Sequence, residues 1–304
     1  LFMWFKNIKA YRLTQPLALN DDELQTALNE LAFRPCGSQE SATMGFVSPL
    51  HDAGQNTLLF HQTQLRYWIT LKKQERLLPS SVVNSELADK VAQIEAETGS
   101  PVGKKAQSDL KQEIITRLLP QAFVKNSYTN GFISIADNLV IVDASADGKA
   151  EAFLAMVRKA LGSLPVVPLV RHSLQSELTH WLTDKPPAKI ELLEEAEFKS
   201  TDEVGSVIRC KNQPLDSEEI QLHLDAGKLV QKVAFEFDET LEAVIQEDGS
   251  VKRIKFTDRI KEETQDIPKD QVAARLDAEF SLMSAEMCAF VNFLSEALDL
   301  DKDS

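Results

Sequence analysis

The chain has few cysteines and no long apolar run, and both absences restrict what it can be. No apolar stretch approaches the roughly 20 residues that a membrane-spanning helix needs. The three cysteines, Cys36, Cys210 and Cys288, are odd in number and lie far apart, which predicts reduced thiols in a cytoplasmic protein rather than a disulfide framework. The stretch from Leu1 to Lys6 lacks a basic leader and a sustained apolar segment, so we predict no signal peptide.

Motifs for catalysis and metal binding are also missing. There is no Gly-x-Ser-x-Gly elbow, no His-Glu-x-x-His and no paired Cys-x-x-Cys. The segment Gly99–Lys105 approaches a phosphate-binding loop, but its spacing is one residue short and no Ser or Thr follows the lysine, so a helix connector is predicted. His51, Asp52 and His61 have no further ligand at a recognisable spacing. We therefore predict no catalytic residue, no metal site and no cofactor, and a protein that is not an enzyme.

Positive charge is scarce and unevenly distributed. The sequence has 33 Lys and Arg against 47 Asp and Glu, a net charge of −14, which by itself repels phosphate at long range. Salt screens charges beyond a Debye length of about 8 Å, so the local field decides what a surface binds. Residues 1–20 and 100–130 each have a net charge of +3, whereas residues 256–304 have −7. Acidic pairs such as Glu194-Glu195 are interpreted as solvated faces.

Two predicted strands, which we expect to be neighbours, gather cations on one face. In residues 228–237, alternation places Lys228 and Lys232 on one side and Leu229, Val233 and Phe235 on the other. In residues 251–256, Arg253 and Lys255 lie opposite Ile254 and Phe256. Such a face could contact a polyanion, or it could serve only solubility and protection of a sheet edge.

Hydrophobic periodicity and turn residues predict an α+β chain without a regular βαβ repeat. A helix that ends near Thr98 and a second that opens at Ser108 predict a protruding αα-hairpin. We expect an α+β region over residues 1–78, this helical lobe over 79–125, and an α+β region over 126–304 that ends in long helices, with lobes that are not contiguous in sequence.

Several segments together carry a family resemblance. They are Trp4-Phe-Lys-Asn7 with Tyr11-Arg-Leu13, Ala32-Phe-Arg-Pro-Cys-Gly-Ser-Gln39, Leu118-Leu-Pro-Gln-Ala-Phe123, Leu161-Gly-Ser-Leu-Pro-Val-Val-Pro-Leu169, Val207-Ile-Arg-Cys-Lys211 with Gln213, and Asp225-Ala-Gly-Lys-Leu-Val-Gln-Lys232. Their order and spacing resemble the family of the bacterial recombination-associated protein RdgC over essentially the whole chain.

The resemblance implies a non-enzymatic DNA-binding protein. Its subunit would be a curved, multi-lobed α+β fold with mixed or antiparallel sheets, and two copies would form a closed ring with DNA in a positively lined hole. The protein would bind single- and double-stranded DNA with little sequence preference, associate with the nucleoid in the cytoplasm and restrain RecA-promoted strand exchange. It would need no metal or nucleotide. The alternatives are a protein-interaction module that inhibits a recombination protein directly, with DNA binding secondary, and a hydrolase whose site assembles from distant residues.

The predicted DNA-binding residues come from two sources. Lys228 matches a lysine that the resemblance places in the hole, whereas Lys232, Arg253 and Lys255 join it by the strand-face argument alone. Two further cations complete the predicted set: Lys211, in a segment that matches the family, and Arg117, after the helical lobe.

The resemblance also implies two dimer contacts. Phe123 would pack into a pocket on the partner at one of them. Asn212 and Gln213, beside Lys211, would lie at the other, and Asn212 stands where the family pattern has a second lysine. From the residues alone, Phe123 could equally be a core phenylalanine that follows the second predicted helix.

Overall fold

The computed structural model describes residues 4–50, 58–264, 266–268 and 270–301, which form two compact units. Unit 1 comprises residues 1–30, 48–70 and 129–304, and unit 2 comprises residues 31–47 and 71–128. None of the helices in the described ranges combines the length and apolar character that crossing a membrane requires. The three regions predicted from the sequence, 1–78, 79–125 and 126–304, stay a prediction.

The described residues contain twelve strands and eight α-helices, which confirms the predicted α+β class. The strands are β1 Asn7–Leu13, β2 Ala42–Val47, β3 Phe60–Thr63, β4 Arg66–Leu77, β5 Phe123–Ser134, β6 Leu139–Val142, β7 Val166–Pro168, β8 Ile190–Lys199, β9 Val207–Lys211, β10 Leu229–Phe237, β11 Leu241–Gln246 and β12 Val251–Phe256. The helices are α1 Asp21–Glu30, α2 Ser80–Thr98, α3 Lys104–Leu118, α4 Asp147–Leu161, α5 Gln175–Thr183, α6 Glu218–Asp225, α7 Asp258–Glu262 and α8 Val272–Ala297.

Strand β1 lies within the antiparallel sheet of unit 1, between β6 on one side and β12 on the other. It pairs with β6 through residues 9–12, with β12 through residues 7–8 and with β7 through residues 11–13. From β12 the sheet continues through β11, β10, β8 and β9, each antiparallel to the next. The prediction that the two cation-bearing strands β10 and β12 are neighbours is therefore wrong, because β11 lies between them.

Helix α8 packs on one face of this sheet. Its large buried residues recur every three or four positions, the spacing that keeps side chains on one side of a helix: Leu276, Phe280, Met283, Met287, Phe290 and Leu294. Phe280 stacks on Trp68 and Phe290 stacks on Phe235, with ring centroids 5.4 and 5.3 Å apart. Because this face of the sheet forms the core, the alternate residues of β10 and β12 are turned away from it.

Unit 2 contains the helical hairpin. Val83 of α2 and Ile114 of α3 are buried, and Gly99 ends α2 in the left-handed conformation with φ +66°. The hairpin confirms the two helices predicted there, although α3 begins at Lys104 rather than at Ser108.

One of the family-like segments in unit 2 forms a closed turn. The two terminal guanidinium nitrogens of Arg34, Nη1 and Nη2, donate to the Glu40 carboxylate. The Gly37 amide donates to Glu40 Oε2 over 2.7 Å. The hydrogen bonds from Arg34, with that from the Gly37 N–H, lower the pKa of Glu40 to about 2. The Cys36 amide donates to Gln74 Oε1 over 2.8 Å, which ties the turn to β4. These hydrogen bonds give Arg34, Cys36, Gly37 and Glu40 a structural role in the turn.

Candidate nucleic-acid interface

The candidate interface is the sheet face of β9, β8, β10, β11 and β12 that is turned away from the core, here called the charged sheet face. On β10, Val230 and Val233 are fully buried, whereas Lys232 between them is partly exposed. On β12, Ile254 and Phe256 are buried while Arg253 and Lys255 are exposed, which confirms the predicted sides of this strand. Alternation along the strands thus delivers cations to one face of unit 1.

Strand β11 separates the cations of β10 from those of β12. Lys232 is paired in register with Gln246, and Lys255 is paired with Glu242. Because Glu242 and Gln246 are four residues apart on β11, Lys255 and Lys232 are about 13 Å apart along the strand direction. That spacing would let them contact different phosphates of one bound strand.

Glu197 of β8 bridges two of the cations. Arg209 Nε donates to Glu197 Oε2 over 2.6 Å, and Lys232 Nζ lies 2.9 Å from the same oxygen. Burial opposes ionisation of Glu197, but the hydrogen bonds from Arg209 and Lys232 outweigh it and lower its pKa below the ordinary value. The guanidinium of Arg209 remains open to solvent, with 74% of its side chain exposed.

Arg253 extends across the charged sheet face. Its Nη2 lies 2.8 Å from Glu195 Oε1, although β11 and β10 lie between β12 and β8. The outward-facing residues midway along those two strands, Ala234 and Val244, are only 6% and 5% exposed, as a side chain lying over them would produce. Glu195 is therefore not part of a freely solvated acidic face, and that expectation for the Glu194-Glu195 pair is wrong at Glu195.

The backbone at Arg253 is bent by a bulge. The register between β11 and β12 shifts between Glu242 and Val244, and Arg253 has φ +57°. This left-handed conformation is uncommon for a residue other than glycine. The bulge directs the Arg253 side chain toward β8.

A row of carboxylates crosses one end of the same face. Glu236 of β10 is paired in register with Glu191 of β8 and with Glu242 of β11. Burial, followed by the charges of Glu191, Glu242 and Glu239, raises the pKa of Glu236. Lys255 Nζ, 3.4 Å from Glu242 Oε2, is the cation at this end. The charged sheet face therefore interleaves both signs rather than presenting cations alone.

Lys228 and Lys211 differ from the other predicted DNA-binding residues because neither has an ion pair within the described residues. Lys228 Nζ donates to Ser206 Oγ over 3.2 Å. The argument that Lys228 shares a face with Lys232 by strict alternation is wrong, since the register shifts between Val230 and Lys232 and Val230 is fully buried. Lys211 is exposed at the end of β9.

Arg117 belongs to unit 2 and not to the strands of the charged sheet face. It belongs to the last turn of α3 and forms an ion pair with Glu86 of α2. Its guanidinium thereby links the two helices of the hairpin.

The predicted dimer residues lie in two places. Phe123 begins β5 with 85% of its surface exposed, so the alternative that it is a core phenylalanine is wrong. Asn212 follows β9 with φ +51°, a left-handed conformation that asparagine adopts more readily than lysine. The Gln213 amide donates to Glu194 O over 3.3 Å, and its side chain donates to Ser217 Oγ over 3.1 Å.

Sequence reasoning missed the glutamates of this face, among them Glu195 and Glu197, and it also missed Arg209. No strand was predicted over residues 190–199, where a bulge opposite β10 interrupts the alternation of polar and apolar residues. The alternation in Glu195-Ala196-Glu197-Phe198 was the available signal.

Comparison with known proteins decides the family. The family model described as "Putative exonuclease, RdgC" matches residues 3–301. The chain is 61% identical over 302 residues to the recombination-associated protein RdgC of Pseudoalteromonas atlantica, covering 99% of both chains. It is 41% identical over 298 residues to the protein of the same name from Yersinia pestis (strain Pestoides F), covering 97% of this chain and 98% of that one. The chain belongs to the RdgC family. It is thus a recombination-associated protein by family.

The RdgC family model and the curated relatives carry different descriptions, an exonuclease and a recombination-associated protein. Within the described ranges, no group of three His, Cys, Asp or Glu residues is placed to hold a metal ion. Of the weak metal pattern weighed in the sequence, His51 and Asp52 lie outside the described residues, and His61 Nε2 lies 3.0 Å from Asp277 Oδ1.

Proposed function

We propose that this RdgC-family protein binds the DNA backbone through the charged sheet face, without sequence preference, and restrains RecA-promoted strand exchange by occupying the DNA. The observation that carries the proposal is the gathering of Lys211, Lys232, Arg253 and Lys255 on strands β9, β10 and β12 of one face of unit 1, with Lys228 directly before β10. Lys and Arg contacts to phosphate supply affinity without reading bases, so no helix needs to enter a groove.

The carboxylates on this face shape how such binding would work. Lys232, Arg253 and Lys255 each have a glutamate partner, so an arriving phosphate must compete with a carboxylate for the same cation. Before DNA arrives, the glutamates keep the cations oriented. When DNA binds, a phosphate replaces a carboxylate at each of these cations. Weak, reversible binding is the expected consequence, which suits a protein that limits access to DNA without blocking it permanently.

A closed homodimeric ring is part of the proposal. The exposed ring of Phe123, beside Val124 at 47% exposure, supports a contact with a second copy, because burying a large aromatic side chain in a partner is a common source of binding energy. Asn212 and Gln213 would form the second contact. The ring would place two copies of the charged sheet face around DNA in the cytoplasm, on the nucleoid.

DNA binding at increasing salt tests the proposal. The variant Lys228→Gln/Lys232→Gln/Arg253→Gln/Lys255→Gln should bind both single- and double-stranded DNA more weakly, with a smaller slope of log K against log salt. The control Lys149→Gln/Arg158→Gln/Lys159→Gln removes three exposed cations of α4, one fewer than the sheet-face variant, and should bind as the parent does. Unchanged binding by the sheet-face variant would overturn the assignment.

Two further measurements separate the other functions. Inhibition of RecA-promoted strand exchange that survives the sheet-face substitutions would favour a protein-interaction module with DNA binding secondary. Release of nucleotides from DNA in the presence of Mg²⁺ or Mn²⁺ would favour an exonuclease. We expect neither outcome.

A further inference from the structure

The two units differ sharply in charge. Unit 2 contains ten Lys and Arg against eight Asp and Glu, a net charge of +2, whereas unit 1 contains 23 against 39, a net charge of −16. The entire negative excess of the chain therefore belongs to unit 1. The net charge of unit 2 attracts an anion, whereas the net charge of unit 1 repels it.

Three lysines of α3 are the free cations of the helical hairpin. Lys104, Lys105 and Lys111 are exposed, and none has an ion pair within the described residues. Other hairpin cations are engaged: Lys90 Nζ lies 2.7 Å from Glu113 Oε1, and Arg117 is paired with Glu86. A phosphate that met the three lysines would not have to displace a carboxylate.

Helical spacing places these lysines on neighbouring lines along α3. Lys104, Ser108 and Lys111 follow i, i+4 and i+7 positions, and Lys105, Asp109 and Gln112 form the adjacent line, which places one exposed carboxylate beside the lysines. Lys104 and Lys111 are about 10 Å apart along the helix axis. Three steps of about 3.4 Å in one DNA strand span the same distance. The exposed side of α3 thus repeats its cations at a spacing that fits consecutive parts of a nucleic-acid backbone.

Local stability does not account for these lysines. Lys104 and Lys105 occupy the first turn of α3, where the helix dipole disfavours cations and where no acidic residue is present. Neither supplies the packing of the hairpin, whose fully buried member on α3 is Ile114. Their positions are better explained by a ligand outside unit 2.

We propose that the α3 stripe, formed by Lys104, Lys105, Ser108, Lys111 and Gln112, is a second contact surface for the phosphodiester backbone of DNA. The lysines supply charge and the Ser108 hydroxyl and Gln112 amide supply hydrogen-bond donors to phosphate oxygens. The inference rests on the proposed DNA-binding function and extends it from unit 1 to unit 2. It assigns a role to the basic stretch 100–130, which the charged sheet face leaves unexplained.

The salt dependence of DNA binding by the full chain tests this surface. The variant Lys104→Gln/Lys105→Gln/Lys111→Gln should lower the slope of log K against log salt by about 2 to 3, since each phosphate contact contributes about 0.9 on duplex DNA and about 0.7 on single strands. Its affinity at low salt should fall about tenfold or more. The α4 control Lys149→Gln/Arg158→Gln/Lys159→Gln removes the same charge from another 15-residue helix and should leave the slope unchanged.

The outcomes separate this inference from the proposed function. Suppose the sheet-face variant loses affinity for DNA while the α3 variant keeps the salt dependence of the parent. The α3 contact surface is then refuted, and the proposed function stands. If the α4 control loses as much DNA affinity as the α3 variant, the net charge of the chain alone explains the effect, and the α3 contact surface is refuted. If the α3 variant keeps DNA binding but loses binding to polyglutamate, the stripe recognises an acidic protein and the proposal is wrong. A lower slope of log K against log salt in the α3 variant, with the parent slope in the α4 control, supports the α3 stripe as a DNA contact surface.

Discussion

Glu197 holds Lys232 with 2.9 Å between Oε2 and Nζ, across the pairing of β8 with β10. The same oxygen accepts the hydrogen bond from Arg209 on β9. A carboxylate therefore occupies the place that a phosphate oxygen would take between these two cations.

Replacing this carboxylate should strengthen DNA binding. Glu197→Gln keeps the shape of the side chain but removes a negative charge from the site, and at a separation of about 6 Å in water one charge is worth about a threefold change in affinity. Fluorescence anisotropy with labelled DNA would measure the gain. Glu151→Gln on the exposed side of α4 makes the same change in net charge and should have no such effect. Weaker binding by Glu197→Gln would mean that its role in orienting Arg209 and Lys232 dominates.

Arg253 should contribute to stability as well as to DNA binding. We expect its side chain, which reaches Glu195, to cover the little-exposed Ala234 and Val244, so Arg253→Ala should lower the free energy of unfolding by about 1 kcal/mol or more. Arg253→Gly removes the same side chain but suits φ +57°, so it should be about 1 kcal/mol more stable than Arg253→Ala. Urea denaturation compares the two variants. Equal stability would show that the left-handed backbone is not retained in solution.

Phe123 should matter for assembly and not for folding. Because its side chain is 85% exposed, Phe123→Ala should leave urea unfolding of the subunit nearly unchanged, whereas a core phenylalanine would cost about 3–5 kcal/mol. Sedimentation velocity should show a dimer that opens or dissociates. Leu222→Ala, at another exposed apolar position, is the matched control and should sediment as the parent does. A closed Phe123→Ala dimer would contradict the interface role.

Glu236 should make stability depend on pH. Its folded-state pKa is raised, so its contribution is fully present below the ordinary value of 4.5 and is lost as the pH rises through the folded pKa. Glu236→Gln should therefore raise the free energy of unfolding by about 0.5 kcal/mol at pH 7, because like charges directly opposite on neighbouring strands are destabilising. The gain should vanish near pH 4. Urea titrations at both pH values measure it, and an equal gain at both would rule out the carboxylate row as the cause.

Local pattern in the sequence predicted much of the fold. The periodicity that predicted a helix ending near Thr98, a second helix after it and long helices at the end of the chain is a local signal, and α2, α3 and α8 form in these regions. The α+β class and the buried and exposed sides of β12 follow from the same periodicity. Family membership was also readable from the order of short segments.

The tertiary structure decided which charges meet. The insertion of β11 between β10 and β12, the bulges that break strict alternation at Lys228 and Arg253, and the pairing of β8 with β10 all depend on contacts between segments far apart in the chain. Side-chain period alone carries no information about strand order, and bulges shift the register that the period would otherwise imply. For that reason the sequence showed the cations of the charged sheet face, and only the folded chain brought Glu195 and Glu197 to them.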